Sequence, residues 1–245
     1  MTDRFENAAL AGLLVLTLVL VGFSLRSREP GQASPRTSGS PTPTASASST
    51  VPPKAKAGSV VFLGDSVAEG KSASAPAKRW TALVAAQLGQ PEVNLGHART
   101  GYLRMGPDGS CGQVACPNFE DSVGDVVKAK PSTVIVSGGG NDSELPANDF
   151  ATGVADTLAA LKKALPAATI YVVNPWWDLR PVPEALTVQT TTVKDAAAKA
   201  GVIYLDTQQP LVDKPNLMVA SGTNPNDAGH AALAKVVMEA IARSG

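Results

Sequence analysis

Ser66 follows the first short apolar run after residue 58. Residues 60–63 read Val-Val-Phe-Leu, and Gly64, Asp65 and Ser66 come directly after them. A tight turn at this point presents the Ser66 hydroxyl at the carboxyl edge of a sheet, where ligands bind in α/β proteins. The alternative is an ordinary turn or helix N-cap serine. Its place directly after a strand makes Ser66 the candidate nucleophile.

A second apolar run, residues 133–137, ends in Gly138-Gly139-Gly140-Asn141. Glycines allow close backbone approach, and a side-chain amide can donate a hydrogen bond to a developing oxyanion. The alternative is a glycine-rich turn that holds Asn141 in a left-handed conformation. Paired with the serine segment, this stretch makes Asn141 a candidate oxyanion donor.

Short apolar runs alternate with amphipathic segments from residue 58 onward. The pattern predicts strands at 60–63, 92–95, 133–137, 169–173 and 202–206, and helices at 78–88, 120–128, 147–165, 184–200 and 227–243. Strands that alternate with helices indicate a parallel sheet covered by helices on both faces.

These segments, in this order, resemble the SGNH (GDSL) hydrolases over residues 58–245. The resemblance implies a flavodoxin-like, three-layer α/β/α sandwich. It also implies ester hydrolysis or acyl transfer through an acyl-Ser66 intermediate, with Asn141 as oxyanion donor and with no metal or organic cofactor.

The second sequence block of that family often carries a glycine whose backbone N–H contacts the oxyanion. This chain reads Asn94-Leu95-Gly96-His97-Ala98-Arg99-Thr100-Gly101-Tyr102, so Arg99 occupies the glycine position. Its N–H remains usable if the local dihedrals suit a side chain, and its guanidinium then crowds the pocket or binds an anion. Gly101 is the alternative donor.

The last block departs further, because Ser221 and Asn224 stand where the family has the Asp and His of its triad. A neutral amide cannot accept the serine proton, and loss of the His alone costs a serine protease about a millionfold in turnover. His230 forms an Asp227-x-x-His230 pair, but the register places it in the last helix. His97 is the other possible base.

Two adjacent tryptophans, Trp176 and Trp177, follow the fourth predicted strand. They suit stacking on a sugar or covering an acyl chain. An equally good interpretation is that one ring fills the core while the other shields the sheet edge.

The N-terminal region divides into a short tail at 1–7, an apolar run at 8–25 and a Ser/Thr/Pro/Ala-rich linker at 26–57. Eighteen helical residues span about 27 Å, close to the thickness of a bilayer core, and the run predicts a single transmembrane anchor rather than a cleaved signal peptide. Arg26 and Arg28 after the run favour a cytoplasmic C-terminal side. The disordered-type linker and the closely spaced Cys111 and Cys116 favour an extracytoplasmic domain, which is the orientation that we predict.

The chain has 21 basic and 21 acidic residues, so no basic surface for nucleic acid is expected. The cysteines and histidines lack the spacing of a zinc site. Two functions compete: a membrane-tethered esterase or acyltransferase acting on cell-envelope glycan or lipid esters, and an inactive family member that binds acylated glycan at the cell surface. A spacer domain with a vestigial pocket is a third, weaker hypothesis.

Overall fold

The computed structural model of this chain describes residues 58–245. Five parallel strands form one sheet in the order β2-β1-β3-β4-β5. They are β1 Val60–Gly64, β2 Glu92–Gly96, β3 Thr133–Ser137, β4 Thr169–Val173 and β5 Ile203–Leu205. All five strands were predicted, although β5 is two residues shorter than its apolar pattern.

Six α-helices connect these strands and follow the last one within the described residues. They are α1 Ser66–Glu69, α2 Trp80–Leu88, α3 Val123–Lys128, α4 Ala147–Ala164, α5 Ala185–Ala200 and α6 Asp227–Ser244. The four-residue α1 was not predicted. The predicted helix at 78–88 begins at Trp80, because Pro76–Lys78 form a separate 3₁₀ turn.

The helices cover both faces of the sheet, as the strand pattern requires. Val61 and Leu63 of β1 join a core cluster that includes residues of α3, α4 and α5. Val60 and Phe62 face the other way and pack in a cluster with α2 and α6. Alternate residues of a strand point to opposite faces, so β1 is buried on both sides. The predicted three-layer α/β/α sandwich is confirmed.

Within residues 58–245, no helix is both long and apolar enough to cross a bilayer. The predicted tail, membrane anchor and linker lie outside the described residues.

Candidate active site

Ser66 is the first residue of α1, directly after the tight turn from β1, as predicted. Gly64 ends the strand, and a Cβ there would lie 2.5 Å from the Ser137 carbonyl oxygen. The Asp65 carboxylate accepts a hydrogen bond from the Val67 N–H at 2.9 Å and caps α1. A glycine at the strand end and a capping aspartate therefore hold the Ser66 hydroxyl at the carboxyl edge of the sheet.

Arg99 supplies a backbone donor to the serine. Its N–H donates to Ser66 Oγ at 3.0 Å, and its φ is 63°, in the left-handed region that favours glycine. The Arg99 backbone has therefore kept the conformation expected of a glycine. The Asn141 amide donates to the neighbouring Thr100 carbonyl at 2.9 Å, which fixes its side chain beside the same loop.

Asp142 braces the loop that carries these donors. Its buried carboxylate accepts from the N–H groups of Tyr102 at 2.8 Å, Arg104 at 3.0 Å and Leu103 at 3.4 Å. Burial raises the pKa of Asp142, and the three N–H groups oppose that rise by stabilising the charged form. This role was not predicted from the sequence, although an acid beside Asn141 at the end of a buried strand was the available signal.

Gly101 does not fill the role of alternative donor. Its N–H donates to the Arg104 carbonyl at 2.8 Å, and a Cβ at Gly101 would lie 2.2 Å from the Asp142 carboxylate. The residue is buried under the loop and is absent from the cavity lining. The glycine is needed for close packing against Asp142, while the donor to Ser66 is Arg99.

A cavity of about 480 Å³ opens beside Ser66. Six of the predicted site residues line it: Ser66, Arg99, Asn141, Trp176, Trp177 and Asn224. They come from the loops after β1, β2, β3, β4 and β5, so the sheet gathers residues that are far apart in the sequence. The arrangement presents a serine hydroxyl, a backbone N–H and a side-chain amide to one space.

The chain matches the model of the GDSL-like Lipase/Acylhydrolase family over residues 62–232. The chain belongs to this family. It is 30% identical over 190 residues to the GDSL lipase Rv0518 of Mycobacterium tuberculosis, a match that covers 74% of this chain and 80% of that protein.

Solved structures share the fold. The esterase EstA from Pseudoalteromonas sp. superposes with a TM-score of 0.60 at 13% identity, covering 76% of this chain and 97% of that one. A putative lipolytic protein of the G-D-S-L family from Desulfitobacterium hafniense gives a TM-score of 0.57 at 19% identity, covering 74% and 98%.

The residue predicted to stand at the position of the catalytic base is Asn224, which carries a neutral amide. Asn224 lines the cavity and donates to the Thr223 hydroxyl at 3.2 Å. Ser221 is exposed, and its hydroxyl lies 3.1 Å from the same Thr223 oxygen. Among residues 58–245, no side chain accepts a hydrogen bond from the Ser66 hydroxyl. Ser66, the predicted nucleophile, therefore has no described side chain placed to take its proton.

His230 does not replace the missing base. It is fully buried in α6, where its Nδ1 accepts from the Trp80 N–H at 3.4 Å. Since Nδ1 is the acceptor, Nε2 carries the proton and donates to the Lys71 carbonyl at 3.2 Å. Burial lowers the pKa of His230, in keeping with a neutral ring. Its role is to join α6 to the segments before α2.

His97 lies beside a disulfide rather than in the cavity lining. Cys111 and Cys116 are bonded to each other, and His97 Nδ1 lies 3.7 Å from Cys111 Sγ. The His97, Cys111 and Cys116 ligand atoms lie within 4.8 Å of one another, but the disulfide leaves no thiolate for a metal. The disulfide instead lies next to Ser110, which lines the cavity and whose hydroxyl accepts from the Cys116 N–H at 3.0 Å.

The two tryptophans divide their roles. Trp176 packs edge-on against the core residue Trp80, with ring centroids 5.4 Å apart, and donates to the Thr207 hydroxyl at 2.7 Å. Trp177 lies under the Arg180 guanidinium at 4.7 Å. Trp176 thus packs against the core, as one of the two interpretations predicted. Both residues line the cavity, and stacking on a ligand stays a prediction.

Proposed function

We propose that this domain is a serine ester hydrolase or acyltransferase whose nucleophile is Ser66. The supporting observation is the 3.0 Å contact between Ser66 Oγ and the Arg99 N–H in a cavity that Asn141 also lines. When the serine oxygen attacks an ester carbonyl, negative charge develops on the carbonyl oxygen. A backbone N–H and an amide N–H stabilise that charge.

The reaction has two halves. In the first, Ser66 Oγ bonds to the acyl carbon, the serine proton is released and the alcohol leaves with a proton. In the second, water or an acceptor hydroxyl attacks the acyl-serine and restores the Ser66 hydroxyl. Without an imidazole the proton must pass to solvent or to the substrate itself. We therefore expect slow turnover. The acceleration over the uncatalysed reaction in water should be about 10³–10⁴-fold, the value that remains when a serine protease loses its triad.

The proposed setting is the outer face of a membrane, with cell-envelope glycan or lipid esters as substrates. Three features support it: the apolar run at 8–25, the Ser/Thr/Pro/Ala-rich linker, and the Cys111–Cys116 disulfide, a bond typical of oxidising compartments. Trp176 and Trp177 give the cavity an apolar wall suited to an acyl chain or a sugar face.

A second candidate function is ester binding without turnover. The neutral Asn224 in the cavity and the exposed Ser221 favour it, because together they remove both the base and the group that would orient it. In that case Ser66, Arg99 and Asn141 serve as hydrogen-bonding groups for a bound ester.

Fluorophosphonate labelling separates the two functions, because the probe reacts only with an activated serine. Ser66→Ala is the blank, and Ser221→Asp/Asn224→His is the restored comparison. Asn224→Gln is the matched control, since it lengthens the side chain without adding a base. Labelling of the natural chain at Ser66 supports the enzyme. Labelling that appears only in the restored variant overturns the enzyme and supports ester binding.

A further inference from the structure

The cavity carries unbalanced positive charge. Three cationic residues line it, Lys71, Arg99 and Arg180, together with two acids, Asp65 and Asp178. Arg180 is already paired, because its guanidinium contacts both Asp178 carboxylate oxygens at 2.8–3.0 Å. The Asp65 carboxylate is occupied as the cap of α1.

Arg99 and Lys71 have no such partner. Within residues 58–245, no acid lies within ion-pair distance of either side chain. The Lys71 carbonyl, not its ammonium, contacts His230. Two cationic residues of the cavity wall are therefore without a neutralising carboxylate.

The position of Arg99 ties this charge to the reacting atoms. Its backbone nitrogen lies 3.0 Å from Ser66 Oγ, and Cα is about 1.5 Å from that nitrogen, so the Arg99 Cα lies no more than about 4.5 Å from the nucleophile oxygen. Its φ of 63° is a conformation that costs a side-chain-bearing residue free energy which glycine avoids. A strained residue at a site points to a function for its side chain.

We propose that Arg99, supported by Lys71, binds an anionic oxygen group of the ester, a carboxylate or phosphate close to the scissile carbonyl. This assignment rests on the proposed function in that the ligand is an ester bound at Ser66. The planar fork of a guanidinium matches the two oxygens of such a group. Neutral esters of the same shape leave that cation unpaired and bind more weakly.

The test measures binding rather than turnover, so its failure is distinct from failure of the labelling experiment. The probes are monomethyl succinate and its isosteric neutral amide, methyl succinamate, titrated by calorimetry against the full chain carrying Ser66→Ala. The same titrations are run with Arg99→Gln added. Arg243→Gln is the matched control, because that residue lies at the end of α6 and outside the cavity lining. Inorganic phosphate, added as a competitor, shows which of the two anionic groups the site prefers.

We expect the acid to bind about five- to tenfold more tightly than the amide, the range for a charge pair in a partly open site. Arg99→Gln removes the preference, Arg243→Gln leaves it unchanged, and added salt weakens binding of the acid alone. Equal binding of the two probes, a preference that survives Arg99→Gln, or no saturation by the acid overturns the proposal. If the acid is preferred but the fluorophosphonate probe does not label Ser66 of the natural chain, the anion site is supported and turnover is refuted.

Discussion

Asp65→Asn should stabilise the domain at neutral pH and do so less at acid pH. The Asp65 carboxyl lies beside the nucleophile, and burial raises its pKa from 3.8 to about 6. The Val67 and Ala68 N–H groups oppose this rise, and the charge of Asp142 adds to it. The folded chain therefore binds a proton at Asp65 more tightly than the unfolded chain does.

The magnitude follows from that difference. Each pKa unit corresponds to about 1.36 kcal/mol, so the shift is worth at most about 3 kcal/mol. Because the folded pKa is raised, this stability is fully present below pH 3.8 and is lost as pH rises through about 6. Asn does not titrate and remains a good N-cap, so the variant avoids the loss.

Urea unfolding at pH 3.5 and pH 7.5 measures the effect. The free energy of unfolding of Asp65→Asn minus that of the natural chain should rise by up to about 3 kcal/mol between the two pH values. Taking this difference cancels the titrating groups that do not interact with Asp65, His230 among them. Asp156→Asn on the exposed side of α4 is the matched control. A difference that stays constant within about 0.5 kcal/mol would refute the burial argument.

Three further changes test other parts of the site. Asp142→Asn should lower the free energy of unfolding by about 2–4 kcal/mol and slow Ser66 labelling, because an amide cannot accept hydrogen bonds from all three loop N–H groups. An unchanged urea midpoint would contradict the bracing role. Replacing Cys111 and Cys116 by Ser should lower the free energy of unfolding by about 2 kcal/mol, the chain-entropy value for so short a loop. A thermal unfolding midpoint that does not change would contradict this expectation. His230→Ala should cost about 3 kcal/mol by leaving the Trp80 N–H unpaired in the core, and labelling of the folded fraction should persist. A selective loss of labelling without loss of stability would return His230 to a catalytic role.

The sequence predicted the sheet well because burial on both faces leaves a clear signature. Strands such as Val60–Gly64 and Thr133–Ser137 are almost continuously apolar, and their order along the chain determines a parallel arrangement. The length of β5 was overestimated, because Asp206, at the end of its sequence pattern, is exposed and lies beyond the last paired residue. The helix starts at Trp80 and Val123 were placed too early, since local turns precede them.

The candidate site was predicted less completely, because its key properties depend on three-dimensional contacts. Residue types identified Ser66 and Asn141. The role of Asp142 depends on N–H groups about 40 positions away, which no local pattern reveals. Gly101 was considered as the alternative oxyanion donor, whereas it packs on Asp142. The left-handed φ of Arg99 was likewise beyond reach of spacing alone.

Two unfavourable features of the described fold lie beside Ser66. Asp65 keeps a carboxyl whose pKa is raised by burial, and Arg99 adopts a left-handed backbone. Each is a site at which a simple substitution would stabilise the chain. A pocket without a function is free to accept such substitutions, while a pocket that still binds a ligand is not. The retained strain thus argues against a spacer domain and favours a cavity that still handles esters, whether or not Ser66 completes the reaction.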